Sequence, residues 1–460
     1  MGRKQLQNVN IKDPKQEKPP GEGLPLGREL PSLDAEWEES ALALFTDLLR
    51  IDTTNPPGRE LAAVHYLQKR LAEKGIGSEC FEPEPGRANL IACIGSGTKP
   101  PVILLSHLDV VAAEAARWTE PPFEAKEVNG VIYGRGTLDT KQLTAMQTAA
   151  FLHLKEQEDK LDRTVYLVAT ADEEAGSRLG MAQVIERFPE LQADGYVISE
   201  GGGFPLLLNG RNLILCAAGE KGVCRIRLQA SGPQGHASCP PTDQAIFRLG
   251  AALGTLAAYK FPVKYTEVSR QFILETGLSP TSKQVIESTY HNLMEYMLHD
   301  GLMINEVKAG ERINAIAGHA SADLEIRLLP GTTVQDIEQL MKRLLGPLPV
   351  EWEIVSFEEG YASSIDNELL ELFEQNCQAY GLDAKLVPFV ALGRTDGRFL
   401  GPYTDRIYGF SPTLLEDHFA AVLERVHQHD ERISRASYLF GAKVLTQTLH
   451  DLCLTGGGAA

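Results

Sequence analysis

Two patterns of apolar residues alternate along the first half of the chain. Asp34 precedes a stretch with helical spacing, and the same spacing returns after the break at Thr53–Gly58 and again over residues 142–155. Short apolar runs rich in β-branched residues predict buried strands at residues 89–94, 102–105, 164–170 and 195–199. Strands that alternate with helices in this way predict an α/β fold with a doubly wound sheet.

The pattern changes near residue 218. Residues 223–229 alternate between polar and apolar, as in a strand with one solvated face. Helices are predicted from Thr242 and over residues 284–298, and a strand pair over residues 313–317 and 320–329. We therefore predict a flexible tail at 1–33, a catalytic domain in two parts at 34–217 and 333–455, and a smaller α+β domain inserted at 218–332. The second part contains predicted helices over residues 334–345 and near 431–452.

Length and composition exclude several classes of protein. A chain of 460 residues is too long for one ordinary core, and its net charge of −18 argues against nucleic-acid binding. No apolar run approaches the roughly 18 residues that span a bilayer, so no membrane association is expected. Seven cysteines without a CxxC pair indicate reduced thiols, and we expect a cytoplasmic protein.

Histidine and acidic residues stand at strand ends and in loops. Each has an ordinary structural interpretation when taken alone, but together they form a set of metal-ligating residue types: His107, Asp139, Glu174, Glu200 and His427. If one carboxylate bridges, five ligands give two metals three protein ligands each and leave positions open for water, which is a catalytic arrangement. Asp109 is placed to orient His107. His429 is an alternative to His427, which the spacing to Asp430–Glu431 favours.

Five motifs in order resemble those of the M20 family of metallopeptidases and aminoacylases, and in particular its carboxypeptidase S-like branch. They are His107–Leu108–Asp109, Gly134–Lys141, Asp172–Gly176, Glu200–Gly202 and His427–Glu431. Trp118 and Pro121–Phe123 also match that branch, and the resemblance covers roughly residues 35–453. Gln142 and Ser199 depart from the common pattern, which has Gly and Asp there.

The resemblance implies residue roles. It implies two zinc ions bound by His107, Glu174, Glu200 and His427 with Asp139 bridging, although cobalt or manganese would accept the same ligands. It implies Glu173 as general base and acid and Asp109 as the partner of His107. It also implies that the inserted domain is a lid that mediates a homodimer.

The lid residues and one loop complete the predicted site. The resemblance implies that His236 reaches a neighbouring subunit's active site and that Asn314 and Arg327 contact substrate. Gly393–Arg398 resembles a loop near the substrate pocket, and Arg327 and Arg398 are candidates to bind a carboxylate.

The expected activity is hydrolysis of an amide bond next to a free carboxylate, in an N-acyl amino acid or a short peptide. The alternatives are a dipeptidase or exo-carboxypeptidase, and a non-catalytic metal-binding scaffold of the same fold. Glu173 argues against the scaffold, because a scaffold needs no general base.

Overall fold

A computed structural model describes residues 33–236, 238–278, 291–310 and 312–454. Residues 1–32 of the predicted tail and residues 284–290 of the predicted helix 284–298 lie outside these residues. The α-helices are Ala35–Arg50, Leu61–Glu73, Lys141–Lys155, Met181–Arg187, Ala245–Ala258, Glu267–Thr276, His291–Leu298, Val334–Leu345, Glu368–Ala379, Phe419–Arg425 and Arg435–Cys453. The Asp34 carboxylate caps the first helix by accepting a hydrogen bond from the Trp37 amide.

The larger sheet is mixed. Its strands follow one another in space as Ser78–Glu84, Arg87–Ile94, Arg163–Thr170, Lys99–His107, Tyr196–Ser199, Ile407–Gly409, Arg211–Glu220 and Tyr361–Ala362, with Lys385–Ala391 and Phe204–Leu208 also paired to Arg211–Glu220. Four neighbouring strands in the centre run parallel, from Arg163–Thr170 to Ile407–Gly409. The carboxyl ends of these strands therefore meet at one edge of the sheet, where ligands bind in open α/β sheets.

Helices cover both faces of this sheet. One face packs on a core that includes Phe45, Phe151 and Tyr438, while the other packs on Val184 and Phe188. Because both faces are covered, the central strands are apolar on both sides, as the sequence pattern indicated. The predicted α/β class is confirmed. No described helix combines the length and the apolar character needed to cross a bilayer.

A second, smaller sheet has its own core. Its strands are Gly301–Ala309, His319–Leu328, Gly222–Ser231 and Glu351–Glu358, in that spatial order and all antiparallel. The helices Ala245–Ala258 and Val334–Leu345 cover one face. Minor sheets join Gly235–His236 to Ala315–Ile316, and Lys126–Val128 to Val131–Tyr133 and Arg432–Ser434.

Some local expectations were wrong. Residues 315–316 pair with 235–236 rather than with the following strand, and the last helix begins at Arg435 because Arg432–Ser434 pairs with Val131–Tyr133 instead. The smaller sheet takes its last strand from Glu351–Glu358, beyond residue 332. The helices Glu267–Thr276 and His291–Leu298 pack on the core of the larger sheet. The domain division remains a prediction.

Candidate metal centre

His107 ends the central strand Lys99–His107 and is almost completely buried. Its Nδ1 lies 2.9 Å from the backbone carbonyl oxygen of Asp109 and 3.5 Å from the Asp109 carboxylate. The Nε2 atom points the other way, 3.0 Å from Asp139 Oδ1 and 3.5 Å from Glu200 Oε2. Since the carbonyl accepts a hydrogen bond from Nδ1–H, Nε2 is left as the nitrogen that faces the carboxylates.

Asp139 lies between the two predicted histidine ligands. Its second oxygen, Oδ2, is 3.0 Å from His427 Nε2, and that nitrogen is 3.3 Å from Glu174 Oε2. The five predicted ligands thus converge as two groups of three that share Asp139. His427, rather than His429, supplies the imidazole that contacts Asp139.

Glu173 and Glu174 begin a short 3₁₀ turn directly after the strand Arg163–Thr170. Both amides of the pair donate to the Asp109 carboxylate, at 3.0 and 3.2 Å. Asp172, which precedes the pair, has a φ of 66°, a left-handed conformation that Asp tolerates better than most residues. The Asp109 side chain therefore fixes the turn of the two glutamates, while its backbone orients His107.

Burial and mutual repulsion raise the pKa of two acidic residues of this cluster, Glu173 and Glu200. Burial first, and then the charge of Glu200, raise the pKa of Glu173 well above its ordinary value, and burial raises the pKa of Glu200 to about 7. Hydrogen bonds to Asp139 and Glu174 raise the pKa of His427 to about 10. Burial alone would raise the pKa of Asp139, but hydrogen bonds from His107 and His427 lower it.

The donor atoms of this cluster fit divalent metal ions. The donor atoms of His107, Asp139 and Glu174 lie within 4.8 Å of one another, as do those of His107, Glu173 and Glu200. Glu174 Oε1 is buried, and no hydrogen-bond partner for it occurs in the described parts of the chain. Imidazole and carboxylate donors are the types that suit zinc and similar ions.

Glu431, which is completely buried, joins two loops that carry predicted ligands. Its carboxylate accepts hydrogen bonds from the amides of Leu138 at 2.7 Å and Asp139 at 3.3 Å, and it forms an ion pair with Arg135. Glu431 thus ties the chain after His427 to the loop that presents Asp139. The sequence signal was its proximity to His427, but its contacts with residues almost 300 positions away could not be predicted.

Other buried polar residues support the ligands. The Asn55 amide nitrogen donates to Asp109 Oδ2 at 2.8 Å and to Asp172 Oδ1 at 3.3 Å. Gln142 donates to the Leu138 carbonyl at 2.7 Å, which gives this departure from the common motif a role in the Asp139 loop. Asp396 accepts a hydrogen bond from Thr170 Oγ1 at 2.5 Å and a shorter one from the Ser177 hydroxyl. Gln142, Thr170 and Ser177 flank the recognised motifs, whereas Asn55 lies 54 positions from Asp109 in the chain and gave no signal.

The predicted substrate residues lie in different places. Arg398 is 3.8 Å from Glu173 Oε1, and it donates to the Thr395 carbonyl at 2.6 Å and Ser177 Oγ at 2.9 Å. Arg327 lies on the smaller sheet and pairs with Glu325 at 2.8 Å. His236 and Asn314 are exposed. His236 lies in the two-stranded ribbon formed by residues 235–236 and 315–316, and Asn314 directly precedes that ribbon.

A cavity of about 310 Å³ opens beside the ligands. Its apolar wall includes Phe204, Phe389, Phe419 and Leu423, while Arg394 and Thr395 line its polar side. His236, Asn314 and Arg327 are not among the residues that line it. A small amphipathic molecule would therefore contact both the ligand cluster and an apolar surface in this cavity.

Comparison with known proteins identifies the family. Residues 103–451 match the model of peptidase family M20/M25/M40. The chain is 27% identical over 435 residues to "Aminoacylase-1" of Sus scrofa, covering 91% of this chain and 96% of that protein. It is also 27% identical over 376 residues to "N-fatty-acyl-amino acid synthase/hydrolase PM20D1" of Homo sapiens, covering 76% and 74%.

Solved structures share the fold. The M20 family metallo-carboxypeptidase Sso-CP2 from Sulfolobus solfataricus superposes with a TM-score of 0.68 at 20% identity, covering 89% of this chain and 98% of that one. The YXEP protein of Bacillus subtilis, described as a dinuclear metal-binding peptidase from the M20 family, gives a TM-score of 0.58 at 15% identity, covering 91% and 99%. The chain therefore belongs to peptidase family M20/M25/M40 and is a metal-dependent hydrolase.

Proposed function

We propose that this protein uses two divalent metal ions, zinc in the first instance, to hydrolyse an amide bond adjacent to a free carboxylate in an N-acyl amino acid or short peptide. The observation that carries the proposal is the position of Asp139, whose two oxygens each lie 3.0 Å from a different histidine, His107 and His427. The aminoacylase and fatty-acyl-amino acid hydrolase relatives support N-acyl amino acids as substrates.

The ligand roles follow from the two groups of three. His107 and Glu200 would hold one ion, His427 and Glu174 the other, and Asp139 both. When bound, such ions lower the pKa of a water molecule and polarise a carbonyl group. The chain's own contribution is to hold the donors in a buried pocket where their charges are weakly screened.

Glu173 is the proposed general base and acid. Its carboxylate lies within the cluster, and burial together with the charge of Glu200 raises its pKa, which makes this carboxylate a stronger base than an exposed one. It would take a proton from the attacking water and return it to the leaving amine. Asp109 positions both Glu173 and His107 through the contacts described above.

The exposed ribbon supports a role for a second copy of the chain. His236 and Asn314 do not line the cavity of their own subunit, and Ile313, beside Asn314, is fully exposed. We propose a homodimer in which His236 donates to the oxygen that gains negative charge in a neighbouring subunit, with Asn314, Arg327 and Arg398 as substrate-binding residues. A cytoplasmic location remains part of the proposal, supported by seven free cysteines.

A panel assay tests the function. The purified protein is incubated with N-acyl amino acids and dipeptides, with added zinc or with a chelator, and release of free amine is measured. We expect release that the chelator abolishes, and the preferred compounds separate an aminoacylase from a dipeptidase. Absence of release from every compound by metal-loaded protein would contradict the proposal and favour the scaffold alternative.

A further inference from the structure

One guanidinium, that of Arg394, lines the cavity beside the ligands among the residues that the structure describes. Arg394 follows the strand Lys385–Ala391, and its loop lies against the chain after Glu200. A Cβ atom placed on Gly201 would be 3.8 Å from both Ala391 and Thr395. Arg394 is thus the cationic side chain that a substrate in this cavity would meet.

Arg394 has a carboxylate partner from the other sheet. Its Nη2 atom pairs with Glu358, the last residue of the strand Glu351–Glu358 in the smaller sheet. The Arg394 side chain is 19% exposed and that of Glu358 is 45% exposed. Arg394 Nε is buried and has no hydrogen-bond partner in the described ranges, so one N–H of the guanidinium group makes no hydrogen bond there. Because Glu358 is close to solvent, water can hydrate its carboxylate when it leaves the arginine.

Arg398 Nε lies 3.8 Å from the same Glu358 oxygen, but the hydrogen bonds of Arg398 go to other groups. Its guanidinium donates to the Thr395 carbonyl, to Ser177 Oγ and, at 3.3 Å, to the Gly176 carbonyl. It does not line the cavity, although its Nε also lacks a hydrogen-bond partner in the part of the chain described. These bonds hold the turn that follows Glu173, so Arg398 has a positioning task that Arg394 does not share.

We propose that Arg394 binds the free carboxylate of the substrate, and that Glu358 occupies the same guanidinium until the substrate carboxylate replaces it. Arginine presents a planar fork that matches a carboxylate, and such a pair is stronger than a neutral hydrogen bond. The exchange also removes an ion pair that ties the smaller sheet to the larger one. This inference rests on the proposed function, because it assumes a substrate with a free carboxylate.

A cycle of protein and substrate variants tests the assignment. The kcat/KM values of an N-acyl amino acid and of its C-terminal amide are compared in wild type and in Arg394→Gln. Loss of a charged hydrogen bond predicts a fall of about 10- to 100-fold for the acid and little change for the amide. Arg343→Gln, on the exposed face of the helix Val334–Leu345, is the matched control and should leave both values unchanged.

The outcomes separate specific from structural roles. An equal loss of kcat/KM for the acid and the amide in folded Arg394→Gln, or no loss for either, overturns the assignment. If Arg327→Gln instead lowers kcat/KM for the acid and not for the amide, Arg327 is the residue that binds the carboxylate. Glu358→Gln provides an independent variant, because removing the competing carboxylate should lower KM severalfold for the acid alone, and an unchanged KM would refute the exchange.

Failure of the proposed function would look different. If wild type hydrolysed neither compound, calorimetric binding of the same carboxylate would still decide the inference without turnover. An increase in Kd of tenfold or more in Arg394→Gln would support it, and an unchanged Kd would overturn it.

Discussion

Replacing Asn55 by alanine should damage the metal centre although Asn55 is not one of its ligands. The Asn55 amide is buried and bridges two carboxylates, at 2.8 Å to Asp109 and 3.3 Å to Asp172. A hydrogen bond to a charged group contributes about 1.5–3 kcal/mol, and the longer of the two bonds adds less. We therefore expect the free energy of unfolding to fall by about 2–3 kcal/mol.

The second expected effect is functional. The Asp109 carboxylate also accepts hydrogen bonds from the amides of Glu173 and Glu174, so a loosened carboxylate would misplace the proposed general base and one proposed ligand. Loss of a residue that orients metal ligands typically lowers metal affinity or activity by about 10- to 100-fold. Asn55→Asp should be worse than Asn55→Ala, because it adds a third carboxylate to the pair and removes the donor.

The assay combines urea unfolding with metal affinity and kcat at a temperature where the variant remains folded. Asn212→Ala is the matched control, since Asn212 Nδ2 donates to a backbone carbonyl near the surface at 3.3 Å. Metal affinity and kcat within twofold of wild type in folded Asn55→Ala would refute the reasoning. Asn55→Asp behaving better than Asn55→Ala would show that the lost packing, rather than the lost donor, matters.

Three further predictions concern the proposed site. Glu173→Gln should bind two metals per chain yet lose about 10²- to 10⁴-fold in kcat, and near-normal turnover would remove Glu173 as the base. The pKa of His427 is raised from 6.5 to about 10, so it stabilises the metal-free chain fully below pH 6.5 and loses this effect as the pH rises toward 10. The difference in melting temperature between metal-free wild type and His427→Gln should therefore shrink over that range, and a constant difference would contradict this. Mixed His236→Ala and Glu173→Ala chains should recover about a quarter of wild-type activity if subunits exchange and His236 acts across a dimer; no recovery in exchanged mixtures would argue against it.

Local patterns predicted the regular elements well. The helix predicted over residues 334–345 is observed as Val334–Leu345, with Thr333 as its cap. The buried strand before Glu173 was predicted because its residues are apolar on both faces. Such elements are defined by neighbouring residues, whose spacing is visible in the sequence.

Long-range pairing was not visible. Arg432–Ser434 was predicted as helix but pairs with Val131–Tyr133, a partner about 300 residues away. Residues 315–316 pair with 235–236, although the described residues between them include three helices. In these cases tertiary pairing outweighs the local propensity of short segments.

The candidate site shows the same division. Strand ends and motif order indicated five candidate ligands, and the structure brings these side chains close together. The contacts of Asn55 and Glu431 were missed because an isolated Asn or Glu carries no periodic signal. The orientation of His107 by the Asp109 carbonyl was also missed, since sequence reasoning considers side chains and overlooks a backbone acceptor.

Metal titration of depleted protein tests the central claim most directly. The chain is stripped with a chelator, and zinc is returned stepwise while bound metal and hydrolysis of the best panel substrate are measured together. We expect the stripped protein to be inactive and the activity to reach its maximum at two ions per chain. Full activity in stripped protein, or saturation at two ions without hydrolysis of any panel member, would contradict that claim.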